Sequence, residues 1–109
     1  VAAGAGCSIA LACDVIVANE EAQLIEIFIN IGLVPDSGSS FFLPRTVGFN
    51  KAFELCSMGN RLKASEAVNI GLINKAVPAA ELDAAVKGYT DFYAKAPTKS
   101  IGLIKKMLN

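Results

Sequence analysis

The stretch IGLVPDSGSS, residues 31–40, ends an apolar run in a single carboxylate, Asp36, set between Pro35 and a string of small turn-forming residues. The chain contains no histidine, so the usual proton carrier near neutral pH is absent from these residues, which raises the question whether Asp36 is a helix cap or the group that moves a proton. Two readings of Asp36 stand side by side. Pro-Asp-Ser-Gly is favourable turn chemistry, and Asp is a common helix N-cap. Alternatively, Ile31, Leu33, Val34, Phe41 and Phe42 strip water from the carboxylate and fit it for acid–base work. The two roles can coexist.

A second cluster lies at the start of the chain, where Gly4, Ala5 and Gly6 make a tight turn into a short helix. The first turn of any helix leaves backbone N–H groups without intrahelical acceptors, and the helix dipole adds partial positive charge there. Without bulky side chains, a ligand oxygen can approach that backbone closely. Such a turn is one half of an oxyanion hole, and it is equally a close-packed strand-to-helix connection. It is not a dinucleotide fingerprint, because Ile9 stands where the third glycine is required, and no P-loop Gly-Lys-Ser/Thr occurs.

Cys7, Cys13 and Cys56 show no CxxC spacing, and without histidine a zinc site has no support. The same lack rules out Ser-His-Asp and Cys-His nucleophilic systems within these residues. Ser8 reads as a local hydrogen-bonding residue, Glu20 and Glu21 as a solvated loop, and Lys105 and Lys106 as an exposed helix face. Glu26 interrupts an apolar run, so it either faces solvent on a strand or pairs with another group.

The elements that would position these groups follow from punctuation and periodicity. CSIALAC predicts a short buried helix stopped by Asp14, and VIVAN a buried strand. A strand near Gln23 to Glu26 then gives way to an irregular or helical turn up to Gly32. SSFFL predicts a helix ended by Pro44, NKAFELCSM a second between Gly48 and Gly59, and KASEAVNIG a third stopped by Gly71. LINKAV, before Pro78, is extended. Leu82, Ala85, Val86, Tyr89, Phe92 and Tyr93 fall at helical spacing, and Pro97 opens a last helix. The fold class is therefore α/β, with residues 1–78 as the core and 79–109 as a helical segment suited to docking or oligomerisation.

Ten basic residues balance ten acidic ones, and the pI is about 6.4. Neither a nucleic-acid surface nor a polybasic membrane patch is expected. A hydrophobic fraction of 53% and mean hydropathy of +0.48 are high for a chain with 18% charged residues, which predicts burial against further sequence or partner subunits. The opening VAAGAGCSIALAC is too short to span a bilayer and lacks the basic flank of a signal peptide, so the chain is expected to start inside a domain. Unpaired, buried thiols fit a reducing interior, and the expected location is cytoplasmic.

Read together, GAGCSIALACD, then IGLVPD and LPRTVG, then AFELCSMGNRLKASEAVNIGLINKAV resemble, in this order, the enoyl-CoA hydratase/isomerase (crotonase) superfamily, over essentially the whole chain. The resemblance implies a β/α spiral fold, present here as its C-terminal portion, and an acyl-CoA thioester as substrate with no separate cofactor and no metal. It implies that Ala5 supplies one of two backbone N–H groups to the thioester oxygen, the other lying upstream of these residues. Gly4 and Gly6, with Ile27, Phe28 and Ile31, would line the substrate site. Family hydratases carry glutamates where Ser8 and Phe28 stand, whereas an isomerase branch carries an aspartate where Asp36 stands. GLVPD and GLIKKMLN look most like ring-1,2-epoxyphenylacetyl-CoA isomerases. The expectation is an isomerase with Asp36 as its catalytic base and acid. A hydratase and an inactive assembly module are the alternatives, and the 109 residues alone are expected to be inactive. A homotrimer or hexamer through the C-terminal helices is also implied.

Overall fold

The computed structural model describes residues 1–109. Two small sheets carry the helices. In the first, β1 (Ala2–Ala3) runs parallel to β3 (Gln23–Ile25), with Ala2 opposite Leu24, and β4 (Leu62–Lys63) pairs antiparallel to β3, giving the order β1-β3-β4. In the second, β2 (Val17–Asn19) pairs parallel with β5 (Lys75–Val77), Val17 opposite Lys75. Between them come α1 (Ala5–Leu11), a 3-10 turn at Ile27–Ile31, α2 (Ser39–Val47), α3 (Phe49–Met58) and α4 (Ala64–Asn69). A second 3-10 turn (Ala79–Glu81) leads into α5 (Leu82–Lys95), and α6 (Thr98–Leu108) closes the chain. No helix is long and apolar enough to cross a membrane.

One core joins these elements: Cys7 and Leu11 from α1, Leu24 from β3, Leu43 from α2, Ala52 and Leu55 from α3, and Ala64 and Ala67 from α4, with Leu72 and Ile73. Alanine at 64 and 67 lets α4 approach closely, and the Ala64 N–H donates to the Ala22 carbonyl at 2.8 Å. Expected glycine boundaries hold for α3, whose C-cap Gly59 has φ 61° in the left-handed region that a Cβ would strain.

Two expectations are corrected. Pro44 does not end α2 but lies inside it, and the helix runs on to Val47. Leu43, 1% exposed, anchors the helix in the core on that side. Side-chain bonds from Arg45 Nη1 to the Phe41 carbonyl (3.0 Å) and from Thr46 Oγ1 to the Phe42 carbonyl (2.8 Å) brace the turn that the proline interrupts. The VIVAN strand is half-buried rather than buried, and only its last three residues pair, because a two-stranded sheet leaves one edge uncovered.

α5 lies against β2, and Lys105 of α6 reaches Asp14 at 2.6 Å across the surface. Neither helix buries any residue, and Val86, Phe92 and Tyr93 of α5 and Leu103, Ile104 and Met107 of α6 stay exposed.

Candidate active site

The glycine turn sits where β1 hands over to α1. The Gly4 N–H donates to the Ile25 carbonyl at 2.9 Å, which extends the β1–β3 pairing by one residue. Gly4 then adopts φ 54°, ψ −127°, outside the regions an L-residue occupies without strain, and α1 starts at Ala5. As the first residue of its helix, Ala5 has an N–H with no acceptor inside that helix. A Cβ on Gly4 would lie 3.4 Å from Ile27 Cγ2 and 3.6 Å from Phe28 Cζ, so those two side chains cover the turn. Gly6 is exposed, with nothing within 4 Å of where its Cβ would be. The structure thus brings together Gly4, Ala5, Gly6, Ile27 and Phe28. Ile31, at the far end of the 3-10 turn, is 72% exposed and stands apart from them.

Asp36 is not the side-chain cap of α2. The N-cap is Gly38, without a side-chain cap bond, and Ser37 and Gly38 both have positive φ (52° and 96°). That double left-handed step separates the carboxylate from the first helical N–H groups. Asp36 Oδ1 instead accepts the Ser37 hydroxyl at 2.8 Å, while the Asp36 peptide carbonyl accepts the Ser39 N–H at 3.1 Å. The expected apolar cover is also absent within this chain. Asp36 is exposed, and so are Ile31, Leu33, Val34 and Phe41; only Phe42 is drawn in, its ring packed over Gly38.

The buried carboxylate is Glu26, and of the two alternatives drawn from the sequence it takes the second, pairing with another group. It is 4% exposed at the end of β3, and its Oε1 accepts the Ser39 hydroxyl at 2.9 Å. Oε2 has no hydrogen-bond partner. Ser39 and Ser8 are fully buried, their oxygens 2.5 Å apart, and Ser8 Oγ also lies 3.1 Å from the Asp36 carbonyl and 3.3 Å from that of Gly4. Burial pushes the Glu26 carboxyl above its ordinary range; the Ser39 and Cys7 contacts oppose this and the Asp36 charge adds to it. The Cys7 thiol beside it is pushed up to about 12, by burial first and by Glu26 next. Ser39 and Glu26 were not singled out as site residues by the sequence. The available signal is weak: one charge flanked by apolar residues on both sides, and a serine in a small-residue turn. No group of three or more His, Cys, Asp or Glu side chains is placed to hold a metal ion.

The sequence profile described as enoyl-CoA hydratase/isomerase matches residues 1–109, the whole chain. The chain belongs to the enoyl-CoA hydratase/isomerase family. Among family members it is 37% identical over 109 residues to 1,2-epoxyphenylacetyl-CoA isomerase of Escherichia coli, covering 100% of this chain and 42% of that protein. It is 36% identical over 105 residues to a probable enoyl-CoA hydratase of Rhodobacter capsulatus, covering 96% of this chain and 41% of the relative. A crystal structure of a putative enoyl-CoA hydratase from Thermobifida fusca in complex with acetoacetyl-CoA superimposes with a TM-score of 0.94 at 36% identity, over 98% of this chain and 42% of that one. The chain therefore spans about two fifths of the length of the relatives it matches, and this family's fold is the one its α/β elements build.

Proposed function

We propose that these residues are the C-terminal portion of an acyl-CoA isomerase, which moves a double bond or rearranges a ring by proton transfer next to a thioester. Negative charge then builds on the thioester oxygen, and preorganised N–H donors hold it; losing one such donor typically costs roughly 10²–10³ in rate. Ala5 supplies one donor, and Asp36 takes the proton from one carbon and returns it at another. Ile27 and Phe28, which cover the glycine turn, exclude water from the acyl group. Residues 79–109 form the assembly segment, their exposed apolar side chains covered by further subunits in a trimer or hexamer.

The observation that carries this reading is that the Asp36 carboxylate is free of helix capping while its loop is bonded to α1, through Ser8 Oγ and the Asp36 carbonyl at 3.1 Å. A proton-transfer group and an N–H donor are thereby held on one short frame. Serine and phenylalanine at positions 8 and 28 leave no carboxylate for the two-glutamate addition of water. The test gives the full-length wild type and Asp36→Ala a 3-enoyl-CoA in D₂O and follows double-bond migration and deuterium incorporation. Isomerisation by the wild type alone is expected, and equal behaviour of the two overturns the role of Asp36. The likeness to a probable enoyl-CoA hydratase favours a second reading, a hydratase. Wild-type hydration of a 2-enoyl-CoA, undiminished in Asp36→Ala, would replace the isomerase with it.

A further inference from the structure

We propose that Glu26 is a positioning residue of this site: through Ser39 and Ser8 its protonation state sets the direction of a buried chain of hydroxyl protons, which ties the Asp36 loop to the glycine turn or releases it. The proposal rests on the reading of Asp36 as the proton shuttle.

The argument is a count of protons. Glu26 Oε1, Ser39 Oγ, Ser8 Oγ and the Asp36 carbonyl form a row with spacings of 2.9, 2.5 and 3.1 Å. Three contacts in that row need three protons, and the two serines own two. With Glu26 ionised, Ser39 must donate to Oε1. Ser8 must then donate to Ser39, because two hydroxyl oxygens 2.5 Å apart with no proton between them would repel. The Asp36 and Gly4 carbonyls receive nothing from Ser8. With Glu26 protonated on Oε1, its proton goes to Ser39, the Ser39 proton to Ser8, and the Ser8 proton to the Asp36 carbonyl. Only the neutral acid completes the tether.

The surroundings favour that neutral form. Oε2 is buried and unpartnered, a costly place for half a negative charge. The titratable groups around Glu26 are Cys7 from α1, Cys56 from α3 and Asp36 from the loop before α2, and no cation is among them. Both thiols are held above their ordinary range, by burial and by Glu26 itself. Only the Ser39 and Cys7 contacts offset the burial of a carboxylate here, and neither group is a cation. Ionisation of Glu26 at rising pH therefore reverses the row and removes the Ser8 bond from the Asp36 carbonyl, which keeps only the Ser39 N–H.

The test measures kcat and KM against pH for isomerisation of a 3-enoyl-CoA by the full-length protein, wild type, Glu26→Gln and Ser8→Ala. Amide exchange of residues 33–40 is followed by mass spectrometry over the same range. A neutral hydrogen bond corresponds to about a 2–10-fold change. Wild-type kcat is expected to fall by about that factor on the alkaline side with KM steady, and exchange of the loop to quicken in step. Glu26→Gln carries no titrating proton and should lose both pH dependences. Ser8→Ala should show the faster exchange and lower kcat at every pH. If Glu26→Gln keeps the wild-type profile and loop exchange ignores pH, the proposal is overturned while Asp36 keeps its role. If no isomerisation is seen at all, the isomerase reading fails, and the exchange data alone decide the tether.

Discussion

Replacing Gly4 by alanine separates conformational strain from steric contact at the turn that presents the Ala5 N–H. The added methyl would meet Ile27 Cγ2 at 3.4 Å and Phe28 Cζ at 3.6 Å, ordinary van der Waals distances, so crowding contributes little. The backbone is the obstacle. At φ 54° and ψ −127° a non-glycine residue is strained by about 1–3 kcal/mol. Alanine also stiffens the unfolded chain, which returns about 0.4–1 kcal/mol, so Gly4→Ala should destabilise by about 1–2 kcal/mol net. Gly6→Ala is the control. Its position is helical, its Cβ meets nothing within 4 Å, and alanine should stabilise by about 0.5–1 kcal/mol. Urea unfolding of the full-length protein measures both. Relief of strain at position 4 would turn the peptide that ends in the Ala5 N–H, so Gly4→Ala should also lose roughly 10²-fold or more in kcat if that N–H holds the oxyanion. A Gly4→Ala protein as stable as Gly6→Ala would refute the strain argument. Full activity in a destabilised Gly4→Ala would remove Ala5 from the oxyanion hole.

Three further outcomes are expected. Leu43→Ala, which empties the best-covered large side chain of the core and loosens α2 beside its proline, should cost about 2–5 kcal/mol in urea unfolding. Glu26 has a carboxyl pKa raised by burial, so the folded state binds its proton more tightly than the unfolded state does. Its contribution is therefore best at low pH, and stability falls as pH rises from about 4.5 through the raised value. Glu26→Gln should flatten that decline in thermal melts across the range, and an unchanged slope would contradict the burial of an ionisable group there. Lys105→Ala breaks an exposed pair with Asp14 and should change stability by no more than about 1 kcal/mol, less in high salt.

What the sequence discloses here follows the reach of each interaction. The limits of α3 at Gly48 and Gly59 depend on residues within one turn of the boundary, so they are legible in order, whereas α1 begins at Ala5, inside the glycine turn and two residues before the expected CSIALAC helix. The run of α2 through Pro44 is not legible either, because Leu43 must be buried before the helix is worth continuing past a missing N–H. The same holds for the site. Asp36 can be singled out from its neighbours, yet its freedom from capping depends on left-handed backbone at both Ser37 and Gly38. Glu26 is the extreme case, since its setting exists only once α1 and α2 bring Ser8 and Ser39 to it. An isolated carboxylate among apolar residues is a hint of such a partner, and nothing in the local text says which.

The strand pairing has a consequence for how the site comes into being. Ala2 pairs with Leu24, Gln23 with Lys63 and Val17 with Lys75, so no pairing is a local hairpin and each closes a loop of at least about 20 residues. Closing loops of that size before any sheet bond is gained slows folding, and within these residues β2 meets its partner only once β5 has been made. Until β1 meets β3, the Gly4 N–H has no Ile25 carbonyl to bind, and nothing aims the Ala5 N–H. Within these residues, the order of synthesis therefore delays the turn that presents the Ala5 N–H until β3 has been made, about 20 residues after β1.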